Sequence, residues 1–226
     1  MKKGDFIWIL IIVGVVCFLC FPTTNTIFVT TTKAHPYIMS FFKYLLLATM
    51  GELLGRRIIA GRWVKPDGLV ARACVWGFIG ICMMVMFNVF VAGTGFLLKA
   101  GLLPGDGSQI LRAFYTSVIA TYAFGPTFML LHRVTDTFID HRFGPQKQSL
   151  SLSEVVAKID FINLICFVYV KTLTFFWIPA NFITFMMPAE YRILCAAFMS
   201  IFLGLILSAA AKLKSKPSPA IQAKAA

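Results

Sequence analysis

Long apolar runs follow one another through this chain almost without pause, at 6–21, 37–54, 70–98, 113–132, 161–177 and 193–211. A helix of ~20 mostly apolar residues crosses the ~30 Å hydrocarbon layer of a bilayer, and its internal hydrogen bonds satisfy the backbone where water is absent. The composition agrees: 59% of the 226 residues are hydrophobic, 13% are charged and the mean hydropathy is +0.83. These values lie far from those of a soluble domain. The expected fold is therefore all-α, a polytopic transmembrane helix bundle of about six spans.

The first run follows Lys2 and Lys3, as in a secretory signal, but Phe18, Leu19, Cys20 and Phe21 are too bulky for a cleavage site. It reads as a retained anchor helix. Residues 1–34 then form an anchor and an outer loop, 35–211 the bundle, and 212–226 a basic, Pro- and Ala-rich tail whose composition predicts disorder. Between the fifth and sixth runs, 178–188 is apolar but flanked by prolines, so it could extend a helix, lie in the interface or re-enter the membrane. The segment 135–158 reads as a polar connection.

Basic residues orient the bundle, because short cytoplasmic loops carry the excess of Lys and Arg. With both termini inside, only Lys33, Lys99, Arg112 and Arg192 fall in outer segments, while Arg56, Arg57, Arg72, Arg133 and most other basic residues fall inside. Helix ends facing an anionic lipid surface account for most of the net charge of +12. No nucleic-acid-binding motif accompanies it, so the expected partners are the bilayer, a small solute and possible further copies of the chain.

Enzyme chemistry finds no support in the motifs. His35, His132 and His141 are scattered and lack metal-ligand spacing, and no phosphate-binding loop or nucleophile elbow is present. All six cysteines lie within or beside apolar runs, so Cys17-x-x-Cys20 reads as packing. No cofactor or metal is expected.

Three clusters stand out. The first runs from His35-Pro36-Tyr37 to Gly51-Glu52-Leu53-Leu54-Gly55-Arg56. The second comprises Trp76-Gly77-Phe78-Ile79-Gly80, Gly93-Thr94-Gly95-Phe96 and Pro104-Gly105. The third joins Trp177-Ile178-Pro179-Ala180-Asn181-Phe182 to Pro188-Ala189-Glu190-Tyr191-Arg192 and Leu207-Ser208. In this order and spacing they resemble the family of the 22-kilodalton peroxisomal membrane protein and the Mpv-type mitochondrial inner-membrane proteins. The family's Gly-Asp-x-x-x-Gln stands here as Gly51, Glu52 and Arg56, its Trp-Pro is split by Ile178, and its Asp-Gln pair before Pro126 is absent. The helix at 6–21 is additional to the family core. The resemblance implies a pore-forming or permeability-controlling role for small metabolites.

Intramembrane charge points the same way. A lysine at a helix centre costs ~2.5–3.5 kcal/mol on insertion scales, so Lys43 and Lys171 are expected to face a bundle interior, a partner or water. Asn88, Thr174 and Asn181 add candidate polar lining, and a basic lining favours anions. The structural alternatives are snorkelling lysines and amides that join helices, each pair worth ~0.6 kcal/mol. Glu52 and Arg56, four apart on one helix, predict a local ion pair. Gly51-x-x-x-Gly55 and Gly77-x-x-Gly80 predict close helix packing, Gly125-Pro126 predicts a kink, and Trp63 and Trp177 are placed as interfacial anchors. The expected function is a channel or permeability modulator for small anionic metabolites. The alternatives are a non-conducting scaffold or regulatory subunit and a secondary transporter. The Lys-Lys start suggests a bacterial plasma membrane, with a mitochondrial inner or peroxisomal membrane second.

Overall fold

A computed structural model describes residues 2–145 and 147–214. The part of the predicted tail at 215–226 lies outside the described residues. The chain forms α1 (Lys3–Cys20), α2 (Pro22–Ala34), α3 (Pro36–Ala60), α4 (Leu69–Lys99), α5 (Gln109–Phe143), α6 (Leu152–Ala157), α7 (Phe161–Met186) and α8 (Ala189–Lys214). Six of these, α1, α3, α4, α5, α7 and α8, are long and apolar enough to cross a membrane. The expected all-α bundle of about six spans is what the chain forms.

Local chemistry sets the helix ends. Pro36 occupies the first turn of α3, where its missing N–H costs nothing, and Gly61 closes the helix in the left-handed conformation at φ 68°. Ser108 caps α5 by accepting from the Leu111 N–H at 3.3 Å. In α6, Ser151 and Glu154 form a reciprocal capping box, and the Ser151 hydroxyl holds the Glu154 carboxyl below its usual range.

Three expectations about boundaries change. The outer loop before residue 35 contains a helix, α2, in which Thr26 and Thr30 donate to the carbonyls of Pro22 and Thr26 at 2.9 and 2.8 Å. Those hydroxyls are satisfied within the helix, whose one buried residue is Phe28. The segment predicted as a polar connection from 135 is helical to Phe143, because α5 has 35 residues. At ~1.5 Å per residue it reaches about 50 Å, so its last turns extend beyond the hydrocarbon layer and tolerate charge. The ambiguous stretch at 178–188 continues α7 as helix to Met186. Pro179 sits in the first turn of that continuation, and Pro188 lies between α7 and α8.

Within α7 the backbone from Leu164 to Trp177 adopts wide i→i+5 turns. Such turns are rare beyond a single bulge, and they alter which side chains share a face.

Helix α3 is the axis of packing, flanked by α4 and α8. A Cβ at Gly51 would lie 3.2 Å from the Ile201 Cα, and one at Gly55 would lie 2.9 Å from the Ser208 Oγ. On the other flank, a Cβ at Gly80 would meet the Ser40 carbonyl and lie 2.7 Å from the Tyr44 Cβ. The glycine patterns are thus packing seams, as small residues are between membrane helices. Tyr44, Leu47, Ile79 and Phe87 fill the centre, while Phe78, Val89, Ile162 and Phe175 face outward. Helix α1 leans on α3 through Trp8, whose Nε1 donates to the Met50 carbonyl at 3.0 Å. Asp5 accepts from Arg57 Nε at 3.0 Å and from Trp63 Nε1 at 2.8 Å.

Candidate functional site

The helices bring together a charged cluster that no single sequence segment displays. Arg72, in the first turn of α4, is 2% exposed and donates from Nη1 to Glu52 Oε1 at 3.2 Å and to Asp136 Oδ1 at 3.0 Å. Its Nη2 bonds Asp140, and its Nε donates to the Asp67 carbonyl at 3.0 Å. Glu52 also accepts from Arg56 at 3.2 and 3.3 Å and from Trp76 Nε1 at 3.3 Å. His132 Nε2 stands 3.6 Å from Asp136 Oδ2, and its ring lies 4.3 Å from that of Trp76. A guanidinium can be buried here because carboxylates and carbonyls replace its water.

This cluster forms the charged end of a cavity of ≈ 500 Å³ whose apolar walls include Phe128, Met129, Trp177 and Leu203. The Trp177 indole N–H and His132 Nδ1 are buried there without a partner among the described residues. Buried polar atoms normally find partners, and these two are exceptions in the wall of the cavity.

Deeper in the bundle, a small void of ≈ 30 Å³ shares Phe128, Met129, Trp177 and Ser200 with that cavity and reaches Thr121 and Asn181. It has room for water. Asn181 Nδ2 donates to Thr121 Oγ1 at 3.0 Å, and Asn181 Oδ1 is buried without a partner among the described residues. Beyond it the rings of Phe87 and Phe185 meet at 4.8 Å between centroids. Phe185 is also in the wall of a third cavity, of ≈ 230 Å³, at the end of the bundle where α3 begins, lined by Arg112, Thr116 and Arg192 among others. The first two spaces share walls, and the Phe87–Phe185 ring contact stands between the small void, which Phe87 lines, and the third cavity, which Phe185 lines.

The sequence candidates are dispersed over this framework. Asn181 lines the small void. Lys43 is buried, but its Nζ donates to Thr32 Oγ1 at 3.0 Å and to the Glu190 carbonyl at 3.2 Å, and it sits 4.3 Å from the Phe28 ring centroid. It clamps α2 to the bundle and lines a cleft beside α1, outside the series of cavities. Lys171 does not face the interior: it is exposed on the outer surface of α7, where the wide turns depart from a regular helical period. Asn88 is also exposed and donates to the Met84 carbonyl at 2.8 Å. Thr174 pairs with the Tyr122 hydroxyl at 2.9 Å, on an exposed face of the α5–α7 contact.

Motif residues have structural counterparts. His35 and Pro36 make the junction of α2 and α3, Glu52 and Arg56 form the expected pair, and Pro126 lies inside α5 with its carbonyl accepting from Tyr169 at 2.8 Å. Trp177 is 7% exposed, a cavity wall instead of the expected interfacial anchor. The residues that sequence reading missed are Arg72, Asp136 and Asp140. Their signal was present as His132, Asp136 and Asp140 at i, i+4 and i+8, one face of any helix extended past 132.

Six apolar helices of spanning length define a polytopic α-helical integral membrane protein. Compared with known proteins, the chain matches no family model, no curated protein and no solved structure.

Proposed function

We propose that the protein is a channel or permeability modulator for small, anionic metabolites, and that solutes move through the three successive cavities. The observation that supports this reading is the set of cavities between the helices: one with a charged end at Arg72, a small void at Asn181 and Thr121 that shares its walls, and a third lined by Arg112 and Arg192. The resemblance to pore-forming metabolite proteins of peroxisomes and mitochondria supports it. By the distribution of basic residues the Arg72 vestibule faces the cytoplasm, and a bacterial plasma membrane suits the Lys-Lys start. On this reading the Phe87–Phe185 contact lies between the second and third spaces, and conduction requires these rings to part.

Liposomes containing the purified full chain should release small organic anions faster than empty ones. Phe185→Ala, which removes the aromatic stopper, should increase release further. Lys171→Met should leave selectivity unchanged, since that lysine faces outward. Absence of flux from both the wild type and Phe185→Ala would defeat the channel reading in favour of a non-conducting scaffold.

One observation favours a second reading, coupled transport. Three carboxylates, Glu52, Asp136 and Asp140, converge on one buried arginine at the end of a cavity between the helices, and ionisable groups at such cavities mark ion pathways. Solute accumulation driven by an imposed proton or sodium gradient distinguishes this from a channel, which only equilibrates.

A further inference from the structure

The cavity at the α3-start end gathers two arginines from separate helices. Arg112 lies in the first turn of α5 and Arg192 in the first turn of α8, and both line the same ≈ 230 Å³ space. No carboxylate among the described residues lines it with them. Of the carboxylates nearby in sequence, Glu190 pairs with Lys33 at 3.1 Å, and Asp106 lies in the wall of a neighbouring cavity on the other side of Arg112, where its Oδ1 accepts from the Gly107 N–H at 3.0 Å. Helix N-termini carry partial positive charge and favour acidic residues. The first turn of α5 has no acidic residue to offset Arg112, whereas that of α8 carries Glu190 beside Arg192.

Each guanidinium is also held in place. Arg112 Nη2 donates to the Val91 carbonyl at 3.3 Å, and Arg192 Nε donates to the Met187 carbonyl at 3.1 Å. Their other N–H groups have no partner among the described residues. Gly95 makes room for one of them, because a Cβ there would lie 2.9 Å from Arg112 Nη2. This gives the second glycine of Gly93-Thr94-Gly95 a reason that helix packing does not supply.

We infer that Arg112 and Arg192 form an oxyanion site that takes the carboxylate or phosphate group of a small solute or of a lipid headgroup. The planar guanidinium fork matches both groups, and two forks lining one space that no carboxylate lines favour anions over cations. Where the occupant is a passing solute, the inference rests on the channel reading and names the chemistry selected at its mouth.

The test uses the full chain in dodecyl maltoside, with inorganic phosphate and succinate as probes against chloride at matched ionic strength. Thermal unfolding of the wild type should shift upward saturably with either probe. Arg112→Gln and Arg192→Gln should each weaken the apparent affinity by about tenfold or more. Gly95→Val should weaken it too, by displacing the flexible end of Arg112 while leaving every charge in place. Without probe, Arg192→Gln should melt at or above the wild-type temperature, since it relieves like-charge repulsion; a merely structural arginine would lower it. In a second arm, phospholipid bound to the purified protein is quantified by mass spectrometry. If soluble anions produce no shift but bound phospholipid falls in the two Gln variants, the occupant is a headgroup. If neither the shift nor the bound lipid depends on these arginines, the site does not exist. Flux in liposomes separates the two readings: conduction with unchanged anion affinity in the variants sinks this inference alone, and anion binding without conduction sinks the channel alone.

Discussion

The residues that matter most at the charged end are those whose charge has the least access to water. Arg72 is 2% exposed and faces three carboxylates, whereas the Arg56 side chain is 37% exposed and faces one. Removing one member of a buried ion group leaves uncompensated charge and costs about 3–5 kcal/mol, while a pair of this exposure is worth at most about 1 kcal/mol. Arg72→Met should therefore lower detergent-solubilised stability far more than Arg56→Gln, as measured by thermal or denaturant unfolding. Equal losses would show that the network is not centred on Arg72. Only part of this was legible beforehand. Glu52 and Arg56 are four apart and announce their pair, but Arg72 looks like any basic residue at a cytoplasmic helix end. Its burial arises because Asp136 and Asp140 arrive from α5, 64 and 68 positions away, a tertiary fact with no local trace. Lys171 shows the converse: its mid-span position is legible, but whether it meets the interior, a partner or water is not, and its side chain lies on the outer surface of α7.

Among elements, the close seams of α3 carry the bundle, and their glycines were readable from spacing alone. What spacing cannot reveal is which neighbour each glycine meets. Gly80 lies against the backbone of α3 at Ser40, which cannot yield, whereas Gly14 on α1 has open space around it. Gly80→Val should destabilise the bundle by about 1–3 kcal/mol or prevent its assembly, as overpacking does, and Gly14→Val should leave unfolding unchanged. Thermal melts of the two variants compare them directly; a similar loss in both would disprove the seam. The α5–α7 contact invites a smaller test. Tyr169→Phe removes the bond to the Pro126 carbonyl, so it should cost about 1 kcal/mol. Helix existence was legible throughout the spans, because runs of this hydropathy have few alternatives. Boundaries were not, since α5 and α8 continue past the apolar limit wherever charged residues reach water or find partners.

The whole molecule joins two signals that sequence carries independently, hydropathy for the spans and the lysine–arginine bias for their direction. The structure adds a geometric constraint: Asp5 of α1 bonds Arg57 at the end of α3, so the N-terminus and the α3–α4 connection lie at the same end of the bundle. The Lys33–Glu190 ion pair and the Lys43 bond to the Glu190 carbonyl tie α2, α3 and the start of α8 at the opposite end. Orientation therefore follows as one unit, and a single misplaced segment would contradict the rest. The prediction is that residues near 2, 62 and 145 are cytoplasmic while those near 33 and 105 are external, because the basic excess of the first group resists translocation. Single-cysteine variants in a background lacking the native cysteines, labelled in intact cells with an impermeant maleimide, provide the measurement. Labelling at 33 and 105 alone is expected. Labelling at 62 with protection at 105 would invert the protein, and would move the Arg72 cluster to the outside and the Arg112–Arg192 pair to the cytoplasm.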